Sequence, residues 1–460
     1  MRAKWGSQIG FILATAGSAI GLGNIWRFPY LAGEYGGGVF LITYLICVVA
    51  LGYFMLVAKL SFGRLSQTNL VDGFKVAANR EGIAVSPIWG WLGGWLGFMN
   101  AWLVSAVYVI VIGWTLSYVI SGGALLLGIG NRQIDAALFE GLSSSFGRQL
   151  FWGIACILIT AMIIIKGVKK GIERVSLYLM PFLFVLLLFM VVWMIFLPDS
   201  GKGILFFLKP NWERIGFTSL GFRPDLFCDL LLTAFGQAIY SLSLGMGVAF
   251  VYGSYLPKNT DIKSSARWIV GLDTLVAFLS GMIVLPAVFA FGLEPGQGPS
   301  LSFISLPLIF SKMIGGTFLM FLFFLLLFLA ALTSLISIYE SSVNLIMDKL
   351  SVGRTKATLI TTGSSAVGVM LVLASFTKKT ELLGRVDLFS LFDRMTGAYT
   401  MPLMIFVCCL FMGWKVPKVI IAHLGQGSGH QSKLFKTYLR LVLRYIAPVI
   451  MIILFATAFI

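Results

Sequence analysis

Long apolar runs, broken by short polar stretches, recur along the whole chain. A membrane-crossing helix needs about 20 mostly apolar residues to traverse about 30 Å of hydrocarbon. That ruler picks out about eleven candidate spans, at 8–32, 38–63, 88–122, 150–166, 173–197, 228–255, 264–292, 314–348, 355–376, 386–413 and 438–460. The runs are far too long for barrel strands of about 10 residues. The pattern therefore predicts an all-α membrane protein, in which each span satisfies its own backbone. Several runs exceed the required length and must tilt or break.

Two spans carry a feature that ordinary membrane helices lack. The first reads Gly17-Ser18-Ala19-Ile20-Gly21-Leu22-Gly23-Asn24 at mid-span, and the sixth reads Ser241-Leu242-Ser243-Leu244-Gly245-Met246-Gly247. Each glycine costs a helix interior about 1 kcal/mol relative to alanine, so paired glycines invite unwinding. Unwound backbone at membrane depth is tolerated only where it lines a cavity or is buried in protein. Glycine-interrupted spans in matching halves point to an inverted repeat with a binding site at the midplane. The alternative is close helix packing through small residues. The expected architecture is one transmembrane domain, 1–460, of five-plus-five repeats, 8–197 and 228–413, plus an extra helix at 438–460.

Composition agrees with a lipid environment. Hydrophobic residues make up 58% of the 460, charged residues only 11%, and mean hydropathy is +0.95. Soluble domains carry about 25% charged residues. The net charge of +16 comes mainly from Lys and Arg in segments that fall on one side, such as Lys166, Lys169, Lys170 and Arg174. The positive-inside rule puts that side and the N-terminus in the cytoplasm, and an odd span count leaves Ile460 outside. The charge thus reports topology and anionic headgroups, not nucleic-acid binding. Met1–Gly6 runs into the first apolar stretch without a signal-peptide cleavage pattern, and the expected location is the cell (inner) membrane. Cys47, Cys156, Cys228, Cys408 and Cys409 fit neither a zinc site nor a disulfide framework. His423 and His430 share the loop 415–436 and are assigned no chemistry. With no phosphate loop, ligand cluster or nucleophile–base pair, the chain reads as a non-enzyme.

The run Gly21-Leu22-Gly23-Asn24-Ile25-Trp26-Arg27-Phe28-Pro29 closely resembles the opening signature of the neurotransmitter:sodium symporter family. Gly33-Glu34-Tyr35-Gly36-Gly37-Gly38, Lys170-Gly171-Ile172-Glu173-Arg174 and Tyr240-Ser241-Leu242-Ser243-Leu244-Gly245 resemble it too, in the same order. The likeness runs from about Lys4 to the end and is nearest to bacterial transporters of leucine and other hydrophobic amino acids. The twelfth span of some members is missing.

The resemblance implies two sodium sites. One would use the Ala19 and Ser241 carbonyls, the Asn24 amide oxygen, the Ser241 hydroxyl and Asp273, completed by the substrate carboxylate. The other would join the Gly17 and Ile20 carbonyls to Ala330, Thr333 and Ser334. By the same resemblance, Leu22–Gly23 and the Tyr108 hydroxyl would hold an amino-acid carboxylate, a role that suits the bare N–H groups of a half-helix N-terminus. Carbonyls of Ala19, Tyr240 and Ser243 would meet the amine, and Ser241 would belong to the substrate site as well as to the sodium site. Val104, Tyr240, Met246 and Ile338, with Ser243 and Ser334 at the edge, would line an apolar side-chain pocket. An outer gate would pair Arg27 with Asp393 above the lid of Tyr108 and Tyr240. An inner gate would pair Arg2 with Asp348, supported by Trp5, Ser254 and Tyr255.

The resemblance also carries a departure. Chloride-dependent relatives have Asn where this chain has Asp273 and Ser where it has Ala277, and bind chloride through positions matching Tyr44, Gln237 and Ser241. Asp273 would supply that negative charge itself. The expected function is chloride-independent, sodium-coupled import of a neutral hydrophobic or aromatic amino acid. The rival readings are a transport-inactive amino-acid sensor and a sodium-conducting channel.

Overall fold

The structure is a computed structural model that describes residues 3–129, 136–215, 217, 218, 221–292, 301–378, 387–425, 427 and 431–459. The helices that matter here are α1 (Gln8–Ala19), α2 (Gly23–Glu34), α3 (Gly38–Ser66), α4 (Gly90–Leu126), α5 (Phe146–Ile165) and α6 (Val168–Ile195). They continue as α7 (Pro224–Ser241), α8 (Val248–Ser254), α9 (Ile262–Ala290), α10 (Gly316–Leu350), α11 (Arg354–Lys378), α12 (Leu388–Lys415) and α13 (Lys433–Thr457). Among the described residues, nine of these are individually long and apolar enough to cross a membrane. The α1–α2 pair, bent by 53°, makes a tenth span. The α7–α8 pair, with its link Leu242–Gly247, corresponds to the remaining expected span. The all-α expectation holds. Strand pairing among the described residues is limited to a small hairpin, Phe217–Thr218 with Gly221–Phe222, between α6 and α7, and an isolated bridge between Gly37 and Pro210.

Burial sorts the helices into centre and rim. The apolar window of α10 is 89% buried inside the protein and that of α4 is 78%, whereas α13 is only 33% buried. Helices apolar all round belong in the interior or against lipid, and here α4 and α10 form the packed centre while α13 faces lipid.

Both breaks have local causes. Helix α1 is capped by Ser7, whose hydroxyl accepts the Gly10 N–H at 2.9 Å. It ends where Ile20 turns extended, at φ −70° and ψ 109°. An alanine methyl at Gly21 would lie 2.7 Å from the Ser334 hydroxyl and 2.9 Å from that of Tyr108, so only glycine lets the chain pass there. In the second break Ser243 adopts φ +50° and Gly247 φ +74°. A left-handed serine is rare and strained, and it marks the link as held from outside.

Candidate binding site between the broken helices

The two breaks meet in a small chamber of about 20 Å³, lined by Ser18, Ala19, Gly21, Leu22, Gly23, Val104, Tyr108, Tyr240, Ser241, Ser243, Met246, Ser334 and Ile338. All eleven residues assigned to the substrate from sequence are among these thirteen. Ser18 and Gly21 are the additions. The Leu22 N–H points to the Tyr108 hydroxyl at 3.4 Å. Ser243 donates across the breaks to the Ser18 carbonyl at 3.1 Å, tying the two unwound segments together. The side chains of Val104, Met246 and Ile338 give the chamber an apolar side, and no charged side chain lines it.

Beside the chamber lies a buried carboxylate. Asp273 of α9 is fully buried and accepts from the Ser241 hydroxyl at 2.7 and 3.0 Å and from the Asn24 amide nitrogen at 2.8 Å. Asn24 also donates to the Ser241 hydroxyl at 2.9 Å, while its oxygen accepts the Gly21 N–H at 3.2 Å. The Tyr44 hydroxyl stands 3.5 Å from both Asp273 and Ser241. A buried charge survives only when paired or well hydrogen-bonded. Asn24, Ser241 and Asp273 therefore form one oxygen-rich cluster, with the Ala19 backbone at the chamber wall.

A second cluster lies where α1 ends against α10. The Ser334 hydroxyl sits 3.0, 3.2 and 3.4 Å from the carbonyls of Ile20, Ser18 and Gly17, and Thr333 donates to the Ala330 carbonyl at 2.9 Å. A methyl on Gly17 would come 3.2 Å from the Thr333 Cβ, so the two backbones are close. Gly17, Ile20, Ala330, Thr333 and Ser334 are brought together, and every donor atom they offer is a neutral oxygen, which suits a hard monovalent cation.

The sequence profile of the Sodium:neurotransmitter symporter family matches residues 2–127 and 140–460. The chain belongs to this family. An uncharacterized sodium-dependent transporter, YhdH, of Bacillus subtilis (strain 168) is 36% identical over 460 residues, covering 98% of this chain and 96% of that relative. One from Haemophilus influenzae is 32% identical over 465 residues, covering 99% and 97%. Among solved structures, MhsT in complex with L-phenylalanine superposes with a TM-score of 0.86 at 33% identity, covering both chains completely. The resemblance and fold read from sequence are thereby borne out: the protein is a multi-pass, sodium-dependent membrane transporter, and its family is one of transporters, not enzymes.

In this symporter a larger vestibule of about 420 Å³ sits against the chamber. Leu22, Gly23, Val104, Tyr108 and Tyr240 line both spaces, so the two tyrosines stand at the boundary. Arg27 and Asp393 both line the vestibule. Their ion pair is not among those formed by the described residues, and the Arg27 guanidinium instead lies over the Tyr240 ring at 5.2 Å.

On the opposite side of the breaks, Trp5 donates to the Tyr252 carbonyl at 3.0 Å and packs edge-on against Phe11, Tyr252 and Tyr255. Ser254 donates to the Val251 carbonyl at 2.7 Å. Asp348 accepts from the backbone and side-chain amides of Asn69 at 3.0 and 3.1 Å. Arg2, its expected partner, lies outside the described residues, as does His430.

Several functional contacts escaped the sequence. Lys59 of α3 is buried and donates to the Leu244 carbonyl of the second link, with the Met404 sulfur at 3.8 Å. Asn100 of α4 donates to the next carbonyl, Gly245, at 2.9 Å and accepts from Thr400. Near the end of a span, Lys59 is indistinguishable in sequence from the charges that commonly flank spans. Glu340 had a signal, a carboxylate deep inside an apolar helix. It is fully buried in a two-point ion pair with Arg354 at 2.8 and 2.9 Å and accepts from Tyr255 at 2.6 Å. His423 is structural: its ring accepts from Arg64 at 3.2 Å and its carbonyl at 2.5 Å. Burial, with Arg64, Arg80 and Lys258 nearby, pushes its pKa down to about 4.

Proposed function

We propose that this protein is a secondary active symporter that uses the inward sodium gradient to import a neutral hydrophobic or aromatic amino acid, without chloride. The observation that carries the reading is the chamber itself. It joins the start of a half-helix at Leu22–Gly23 and the Tyr108 hydroxyl, suited to a carboxylate, to an apolar side suited to the side chain. An oxygen cluster stands on each flank, giving two sodium sites: Ala19, Asn24, Ser241 and Asp273 for one, Gly17, Ile20, Ala330, Thr333 and Ser334 for the other. That MhsT binds L-phenylalanine supports the substrate class.

Asp273 supports chloride independence. Tyr44 and Ser241 surround this carboxylate, and Gln237 lies one turn before Ser241 on α7. The fixed charge offsets that of sodium, and sodium in turn keeps the carboxylate ionised. Arg27 and Asp393 serve as the outer gate and Arg2 with Asp348 as the inner one, with the N-terminus cytoplasmic in the cell membrane. At 100 mV a single charge contributes about 2.3 kcal/mol, so one sodium per cycle supports tens-fold accumulation.

The test is radiolabelled amino-acid uptake into proteoliposomes, with and without a sodium gradient, with gluconate replacing chloride in parallel. Uptake that needs sodium and persists in gluconate is expected, with Asp273→Asn weakening apparent sodium affinity about tenfold or more. Binding without uptake would favour the sensor. Sodium current without substrate would favour the channel, and arrest in gluconate would end the internal-charge proposal.

A further inference from the structure

Where α13 begins, four cations follow one another at helical spacing. Lys433, Lys436, Arg440 and Arg444 stand at i, i+3, i+7 and i+11 of one continuous helix, which keeps them on one face. No carboxylate answers this charge. None of the four forms an ion pair among the described residues, and Glu81, which reaches the connection after α12, is taken up by the Val419 N–H at 2.7 Å. Arg444 is fixed in place. Its Nε donates to the Gly413 carbonyl at 2.7 Å, its guanidinium lies over the Trp414 ring at 5.4 Å, and the Trp414 indole donates back to the Arg444 carbonyl at 3.2 Å. This lock spends one N–H and leaves both terminal nitrogens of the guanidinium without an acceptor among the described residues. Beside the cations, Leu441, Tyr445, Val449 and Ile452 form an exposed apolar strip that continues along α13.

We propose that the Arg440–Arg444 face of α13, closed on one side by Trp414 of α12, is a binding site for the headgroup of an anionic phospholipid. A planar guanidinium presents paired N–H donors that match two phosphate oxygens, and the Gly413 and Trp414 contacts set the plane of Arg444 in advance. Arg440, one turn earlier on the same face, is exposed and adds a second cation. Trp414 and Tyr445, packed edge-on at 5.5 Å and both half-exposed, are the residue types that settle at headgroup level. The apolar strip selects the source of the phosphate. A free phosphate has nothing to lay along Tyr445, Val449 and Ile452, whereas the acyl chains of a lipid cover them. The charge selects the headgroup. With no carboxylate to receive it, the ammonium of a zwitterionic lipid would meet only cations, while phosphatidylglycerol brings the phosphate without an opposing charge. Basic clusters at the end of a membrane helix recognise anionic lipid in this way.

Native mass spectrometry of the purified full chain in detergent tests this, with dioleoyl phosphatidylglycerol and dioleoyl phosphatidylcholine titrated separately. Each cation near the surface contributes about fivefold to the attraction for anionic lipid, so the first phosphatidylglycerol should bind about twentyfold tighter than the first phosphatidylcholine. Arg440→Gln, which breaks no hydrogen bond among the described residues, should lower that ratio about fivefold. Arg440→Gln with Arg444→Gln should bring it near one. Lys166→Gln with Lys169→Gln removes the same charge at the end of α5 and the start of α6, and should leave the ratio within about twofold. A ratio near one in the unaltered protein overturns the proposal, as does an unchanged ratio in Arg440→Gln. An equal fall in the Lys166 and Lys169 variant also overturns it, because the preference then belongs to the net charge of the whole chain. Inorganic phosphate at millimolar concentration should not displace the lipid. Displacement there would make this a site for free phosphate and overturn the lipid assignment.

Discussion

The two broken spans look alike in sequence and are held in different ways. The first break is short, three residues from Ile20 to Leu22 between α1 and α2, and the carbonyl of Ile20, with those of Gly17 and Ser18 in the last turn of α1, faces the hydroxyl of Ser334. The second break, Leu242–Gly247, is twice as long and passes through a left-handed serine and a left-handed glycine. Two of its carbonyls are held by stronger groups, an ammonium and a carboxamide, from Lys59 and Asn100. A hydroxyl is a weak tether that a cation can replace, whereas a buried ammonium is not easily exchanged. The difference teaches a division of labour. In the proposed function the first break would present backbone oxygens to sodium, and the second is anchored so that Ser243 and Met246 keep their places in the chamber.

Helix α8 adds to that anchoring. A methyl on Gly63 of α3 would fall 1.9 Å from the Phe250 carbonyl, so the α3 and α8 backbones touch directly. Lys59 stands one turn before Gly63 on the same helix, and so ties the link to the element that α8 already packs against.

The comparison is broken most severely at the ions. Thr333→Ala with Ser334→Ala removes two of the five groups assigned to the second sodium site. At about 1.5–3 kcal/mol for each lost bond to a charge, apparent sodium affinity for uptake should fall about a hundredfold or more. The purified double variant should keep its helical circular dichroism. Sodium-activation curves in proteoliposomes decide it, and an unchanged midpoint would remove both residues from the site.

The next effect separates anchoring from stability. Lys59→Met leaves the Leu244 carbonyl unpaired, at about 1–3 kcal/mol, but also relieves the desolvation of a buried ammonium. These terms oppose each other, so the melting temperature in detergent should stay within about 5 °C. Uptake should drop about tenfold, because the link loses its register. A large fall in melting temperature with normal uptake per folded molecule would make Lys59 a packing residue only.

A graded effect sharpens the role of the second link as pocket wall. Met246→Ala and Ile338→Ala should move the competition profile from leucine towards tryptophan, and Met246→Phe should move it back. Apolar pockets discriminate a methylene by about 1–3 kcal/mol, so shifts of roughly tenfold are expected. A profile that does not move would take these side chains out of the pocket.

The smallest effect lies outside both breaks, at His423 in the connection between α12 and α13. Its folded pKa, about 4, is below the ordinary value of about 6.5, so the unfolded chain takes up a proton first. Stability is thus unaffected above about pH 6.5 and is lost progressively between there and about pH 4. His423→Gln should reduce the drop in melting temperature between pH 7 and pH 5 by about 2 °C. An identical drop in the variant would show that other groups dominate.

The sequence by itself determined the number and order of the spans and the two breaks, while the residues expected around the chamber came from family likeness. The reason is that bilayer thickness and backbone satisfaction leave so few options, and that Gly-x-Gly flanked by small residues is a local cause of unwinding. Family likeness then assigned Asp273, Thr333 and Ser334 to positions that lie beside those breaks. Only the tertiary structure decided what holds the second link. Lys59 and Asn100 reach Leu244 and Gly245 from helices about 150 residues or more away in sequence, and no periodicity encodes which carbonyl a distant donor meets. The same holds for Ser18. A serine beside a glycine reads as a small packing residue, and only three-dimensional hydrogen-bond accounting shows its buried hydroxyl without a partner while those of Ser241, Ser243 and Ser334 are paired.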